Sequence, residues 1–221
     1  MACDRLLVFV KRPRPGEVKT RLVPRLGAGP AAELYRGLAE LEIQATAPAG
    51  EYERLFFYTP PQAHAEMAAW LPGQTWRPQR GADLGERMAA ACHDAFQLGA
   101  RRVALVGSDA PWVSREVVVE ALGALDAADV ALVPATDGGY CLLALDQPRP
   151  QLFTGIPWST PSVLALTLER AGALGLAVRL LEAQPDIDTL EDLRVCWPRL
   201  RPLLSARPSL VAAIDSALSA G

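Results

Sequence analysis

Leu6-Leu7-Val8-Phe9-Val10 runs without a break into Lys11-Arg12-Pro13-Arg14-Pro15-Gly16-Glu17-Val18-Lys19-Thr20-Arg21-Leu22. Five consecutive apolar residues ended by a Pro/Gly loop are the pattern of a strand covered on both faces, as in a parallel sheet. Further strand patterns fall at 54–59, 102–107, 129–134, 140–145 and 177–181. Between them, helical spacing of apolar residues covers 31–45, 61–71, 84–98, 114–125 and 161–171. Ser114, and Ser159 or Thr160, are placed as N-caps, and Pro161 suits a first helical turn. Strand alternating with helix predicts an α/β layer fold with a mainly parallel sheet. Ligands of such sheets bind beyond the carboxyl ends of the strands, which directs attention to the loops after Val10, Gly107 and Pro134.

The wider composition limits what those loops serve. At 221 residues, against ~150 for a typical domain, a single domain spanning 1–221 is expected. Half of the residues are apolar and 21% are charged, and no apolar run approaches the ~20 residues of a membrane span. The opening Met-Ala-Cys-Asp-Arg and its short apolar run lack the features of a secretory signal, so a cytoplasmic location is expected. A net charge of −3 offers no general attraction for a nucleic-acid backbone. Cys3, Cys92, Cys141 and Cys196 have neither zinc-ribbon nor disulfide-scaffold spacing and read as reduced, mostly buried thiols. His64 and His93 have no partner at metal-ligand spacing, and no G-x-S-x-G or Cys/His pairing indicates a nucleophile.

Four segments carry chemistry. From Lys11 to Arg25 there are six cations against Glu17, and the only two lysines of the chain, Lys11 and Lys19, are both here. Such a cluster beyond a buried strand suits a diphosphate or triphosphate, although a solvated basic loop has the same composition. No Walker loop is present. Gly107-Ser108-Asp109-Ala110-Pro111 offers one carboxylate at a strand end, placed either for Mg²⁺ or to cap the turn. In Asp137-Gly138-Gly139 a hairpin turn is the simplest reading, while the glycines would also let backbone amides approach a ligand. In Asp186-Ile187-Asp188-Thr189-Leu190-Glu191-Asp192, Thr189 or Asp188 caps a helix, and alternation along an extended segment puts Asp186 and Asp188 on one face.

These blocks, with Gly81-Ala82-Asp83-Leu84-Gly85-Glu86-Arg87-Met88 and Trp158-Ser159-Thr160, resemble the bacterial DUF2064-type family of GT-A glycosyltransferase-like proteins, some of them associated with arsenosugar biosynthesis. The resemblance runs from residue 11 to residue 193 and implies a three-layer, Rossmann-like nucleotide-diphospho-sugar transferase fold. It implies phosphate binding by Lys11, Gly16, Lys19, Arg21 and Arg87, and a substrate pocket at Gly138, Gly139, Ser159 and Thr160. Asp109 would be the first ligand of Mg²⁺ or Mn²⁺. Glycosyltransferases of this fold usually carry Asp-x-Asp, whereas this chain has Asp109-Ala110-Pro111. The second ligand must then come from elsewhere, with Asp188 the first choice and Asp186 the second.

The expected activity is metal-dependent glycosyl transfer from a nucleotide-sugar to a small-molecule acceptor, with Asp137 as general base. The alternatives are a guanylyltransferase-like nucleotidyltransferase acting with an NTP and releasing pyrophosphate, and a non-catalytic nucleotide-binding protein on the same fold.

Overall fold

The computed structural model describes residues 3–219. One sheet of seven strands has the spatial order β3-β2-β1-β4-β6-β5-β7, with β1 Cys3–Lys11, β2 Glu53–Thr59, β3 Trp76–Pro78, β4 Ala100–Val106, β5 Val130–Pro134, β6 Tyr140–Leu145 and β7 Val178–Leu180. Only β6 runs antiparallel to its neighbours, β4 and β5. The helices are α1 Val23–Leu26, α2 Ala28–Ala45, α3 His64–Trp70, α4 Leu84–Gln97, α5 Arg115–Ala124, α6 Val163–Ala173, α7 Leu190–Leu203 and α8 Pro208–Ser219.

Alternation along β1 explains the layers. Leu6, Val8 and Val10 face a core that includes Met67 of α3 and Val118 of α5. Leu7 and Phe9 face a second core with Met88 and Cys92 of α4 and Ala171 of α6. Five consecutive residues with relative exposure of 8% or less therefore separate two helical layers, as the unbroken apolar run requires. A third cluster joins α1 and α2 to α7 and α8 and takes in Ile187.

Strand order reverses between β1 and β4, whose following loops diverge at the carboxyl edge, the position where such sheets bind ligands. Beyond β7 the chain continues parallel to β5. Leu181 N–H donates to Leu132 O and Gln184 N–H to Pro134 O, each at 2.9 Å. This brings residues 186–188 to the same edge.

The sequence pattern misplaces several helix starts, with α2 beginning at Ala28 rather than 31 and α3 at His64 rather than 61. The helix expected over 161–171 begins at Val163, and neither Ser159 nor Thr160 caps it. The Thr160 hydroxyl instead donates to Pro157 O at 2.7 Å, and Ser159 has a φ of 65°. The pattern also passes over α1, β3 and α8. The first two span only four and three residues, too short for periodicity to register.

Candidate functional site

The basic loop divides its cations between two tasks. Arg12 bonds Glu17 and Glu66 at 3.1 and 2.9 Å, and Arg14 lies 3.5 Å from Glu17. Those two guanidinium groups shape the loop. Lys11, Lys19 and Arg21 instead line a cavity of about 230 Å³. Lys19 Nζ donates to Asp109 Oδ2 at 3.0 Å and to Asp188 Oδ1 at 2.8 Å, while Arg21 lies 3.5 Å from Asp188 Oδ2. Burial acts to strip the Lys19 proton, but Asp109 and Asp188 outweigh it and hold the ammonium above the ordinary lysine value. Lys19 in turn holds the Asp109 carboxyl below the usual range, against its partial burial.

Helix α2 supports both loops from below. Tyr35 Oη accepts Lys11 N–H at 2.7 Å and lies 2.6 Å from Ser108 Oγ. Two turns further on, Glu42 Oε2 accepts Ala110 N–H at 3.0 Å. Glu42 is 1% exposed and its Oε1 has no partner, so burial pushes its carboxyl well above the usual range. Sequence reading passes over Tyr35 and Glu42, and names Ser108 in its block without a role of its own. The only signal of Tyr35 and Glu42 is polarity at positions of a helix pattern that fold inward.

The other half of the cleft is a cavity of about 240 Å³ with apolar walls from Phe9, Leu84, Met88, Leu105 and Trp158. Asp109, Asp137, Asp186 and Asp188 line it, and no Lys, Arg or His does. Asp109, Ser159 and Asp188 border both cavities. Asp186 and Asp188 flank Ile187, which is fully buried in the third core, so both acids turn back towards the cleft. Burial, with help from Asp137, Asp188 and Asp192, pushes Asp186 up to about 6. Thr189 caps α7 in a capping box with Asp192, which also accepts the Asp188 N–H at 3.1 Å and steadies that carboxylate.

The structure bears out the hairpin reading of the Asp-Gly-Gly segment. It is the turn of the β5–β6 hairpin, with Ala135 N–H donating to Gly139 O at 3.0 Å and Asp137 Oδ1 accepting Gly139 N–H at 2.8 Å. Asp137 and Gly139 also form cavity wall. Gly138 does not. A Cβ there would lie 2.1 Å from Pro161 O, and its φ is 92°, so that glycine serves the packing of the turn against the loop before α6.

Two further expected residues lie away from the cleft lining. Gly16 forms an exposed bend of the loop with φ 82° and borders neither cavity. Arg87 donates from Nε to Gly81 O at 3.2 Å, which fastens the loop ahead of α4 and leaves its guanidinium outside both cavities. Ser159 and Thr160 both line the acidic cavity.

Asp109 and Asp188 each turn a carboxylate oxygen to within 3.0 Å of a single point, now filled by the Lys19 ammonium. Two hard oxygen donors so placed suit a divalent ion whose other ligands are phosphate and water. Among the described residues no group of three or more His, Cys, Asp or Glu is placed to hold a metal by itself.

The sheet carries its cation-lined and acidic cavities at the switch point, and the fold matches that of nucleotide-diphospho-sugar and nucleotidyl transferases. Residues 42–160 match the family described as "Uncharacterized protein conserved in bacteria (DUF2064)", and the chain belongs to that family. A candidate nucleotide-diphospho-sugar transferase of known structure from Desulfovibrio desulfuricans G20 is 36% identical, with a TM-score of 0.87 over 97% of this chain and 99% of that one. A phosphoenolpyruvate guanylyltransferase from Chloroflexus aggregans (strain MD-66 / DSM 9485) is 30% identical over 193 residues, 83% of this chain and 93% of that protein. The 4-diphosphocytidyl-2C-methyl-D-erythritol synthase of Anaerococcus prevotii DSM 20548 is 11% identical with a TM-score of 0.60, covering 90% and 96% of the two chains, and shares the fold. Among the described residues no helix is long and apolar enough to cross a membrane.

Proposed function

We propose that the protein transfers a glycosyl group from a nucleotide-sugar to a hydroxyl-bearing small molecule. The observation that carries this reading is the division of the cleft. Lys11, Lys19 and Arg21 line the half suited to a diphosphate, beside Glu17 and the shared Asp109 and Asp188. The adjoining half has apolar walls, adds Asp137 and Asp186 to those two shared acids, and has no cation in its lining. A sugar and an uncharged acceptor suit that second half. A phosphorylated, carboxylated acceptor would meet like charges there.

In this reading the loop ammonium and guanidinium groups bind the diphosphate and offset charge on the departing nucleoside diphosphate. Asp137, at the rim of the acidic cavity, accepts the proton of the acceptor hydroxyl. Among the described residues no Lys or Arg pairs with it, and its bond from Gly139 N–H fixes its direction. Asp109 and Asp188 would hold Mg²⁺ or Mn²⁺, which when bound supplies Lewis-acid stabilisation of the phosphates. Ser159 borders both halves and in this reading would lie where the donor phosphate meets the transferred group.

Nucleotidyl transfer is the second reading, favoured by the 30% identical guanylyltransferase. There an acceptor phosphate would attack the α-phosphorus of an NTP, and Asp137 would have no proton to accept. Incubating the protein with panels of nucleotide-sugars and of NTPs, with Mg²⁺ or Mn²⁺ and mixed acceptors, separates the two. Release of nucleoside diphosphate from a nucleotide-sugar supports glycosyl transfer. Pyrophosphate released from an NTP, with phosphoenolpyruvate as acceptor, overturns it. Nucleotide binding with neither product points to a binding protein.

A further inference from the structure

The Lys19 ammonium stands where a cation shared by Asp109 and Asp188 would stand, within 3.0 Å of an oxygen of each. Its side chain is 3% exposed, whereas those of Asp109 and Asp188 are 45% and 37% exposed. The ammonium therefore lies on the protein side of the pair, and the carboxylates face the cleft. The backbone is held in an unfavourable state to put it there. Lys19 has a φ of 45°, a left-handed conformation that residues with a Cβ rarely adopt.

We infer that Lys19 and a divalent cation are alternative occupants of the gap between Asp109 and Asp188, so that the metal binds well only together with a phosphate ligand that takes over the ammonium. This rests on the reading of Asp109 and Asp188 as metal ligands. With the ammonium in place and the Arg21 guanidinium 3.5 Å from Asp188 Oδ2, the two carboxylates are already balanced by two cations. A divalent ion added beside them would bring four positive charges against two negative ones. With no third protein ligand placed among the described residues, an ion arriving alone has little to set against that repulsion. The ammonium has a second destination. It lines the phosphate-sized cavity with Lys11 and Arg21, and its flexible stem can carry Nζ from carboxylate to phosphate. Diphosphate would thus draw Lys19 away and open the metal position, and the metal would favour diphosphate by the same factor.

Lys19→Met keeps the length of the side chain and removes its charge. In the full chain, with no phosphate ligand present, this variant should bind Mn²⁺ at least about tenfold more tightly than wild type, measured by the electron paramagnetic resonance of free Mn²⁺. Equal or weaker Mn²⁺ binding by a folded Lys19→Met chain overturns the exchange. If that variant does not fold, the wild type decides. Because Lys11 and Lys19 are the only lysines, its side-chain ¹⁵Nζ spectrum contains two lysine signals. Mg²⁺ with inorganic pyrophosphate should shift the Lys19 signal strongly, and Mg²⁺ alone at the same concentration should leave it in place. A Lys19 signal unmoved by the pair, or moved equally by Mg²⁺ alone, overturns the exchange. Asp188→Asn separates the two levels of the argument. If it abolishes Mn²⁺ binding with pyrophosphate while Lys19→Met shows no gain, only the exchange fails. If it leaves that binding intact, or if wild type binds no Mn²⁺ even with pyrophosphate, the assignment of the metal ligands fails with it.

Discussion

The two halves of the cleft are built in opposite ways. The cationic half comes largely from one stretch, Lys11 to Arg21, in which neighbouring residues share a loop and Arg12 and Glu17 hold its shape. The carboxylate half gathers Asp109, Asp137, Asp186 and Asp188 from three separate loops, and no two of them are adjacent in sequence. A cation cluster that is local in sequence is visible as charge density. A carboxylate cluster that is distant in sequence exists only once β5, β6 and the segment after β7 are side by side. The contrast also suggests a division of labour, with affinity residing in the first half and chemistry in the second.

Asp137 gives the largest expected effect. Asp137→Asn should lower turnover by about 10²–10⁴-fold while leaving nucleoside diphosphate affinity nearly unchanged, as a general base would. Turnover equal to wild type would reduce the segment to its structural role as a hairpin turn. Lys19→Ala tests the opposite half. It should weaken nucleoside diphosphate binding by about 1.5–3 kcal/mol in calorimetry, the range for hydrogen bonds to charged groups. Wild-type affinity would take the loop out of the site and erase the contrast.

Glu42 joins the halves from below, and a pair of variants measures how much that matters. Glu42→Leu leaves Ala110 N–H without its acceptor and should cost about 1–3 kcal/mol of stability in denaturant unfolding. Glu42→Gln keeps the shape of the protonated acid and an acceptor for Ala110, so its loss should be much smaller. Equal losses would mean that the carboxyl is ionised in the folded state.

The smallest effect concerns pH. Asp186 is raised to about 6 in the folded chain, above the usual carboxyl range, so the folded state holds its proton more tightly than the unfolded state. Its contribution to stability is therefore full near pH 4 and is lost as pH climbs through about 6. Thermal unfolding of wild type and Asp186→Asn across that window should converge on the acid side, with wild type falling behind above it. Parallel curves would place Asp186 in free solvent, outside the crowded acidic rim.

Much of the architecture was legible along the chain because its determinants are local. β6 follows the apolar block 140–145 without displacement, and α4 starts at Leu84 behind a capping Asp83. Legibility failed where a local signal was weak or tertiary contacts intervened. Three residues of β3 pair with β2 without a period of their own, and Pro198 and Pro202 inside α7 obscure the length of that helix. In the site, Lys19 and Asp109 are legible from charge and strand ends, and Asp188 from resemblance and alternation along an extended segment. Gly16 and Arg87, implied by resemblance alone, lie outside the cavity lining.

By itself the sequence determined the alternation of strands and helices, the doubly covered β1 and the concentration of cations after it. Apolar period and charge density are properties of neighbouring residues. Only the tertiary structure decided which carboxylates meet. Parallel pairing of Ala135 with Gln184 sets Asp186 and Asp188 beside the Asp137 turn, and the order of β1 and β4 sets Lys19 against Asp109. It also put Glu42 and Tyr35 under the loops they hold. Those meetings depend on strand register and helix packing across up to 169 residues, the separation of Lys19 from Asp188, and no local pattern encodes them.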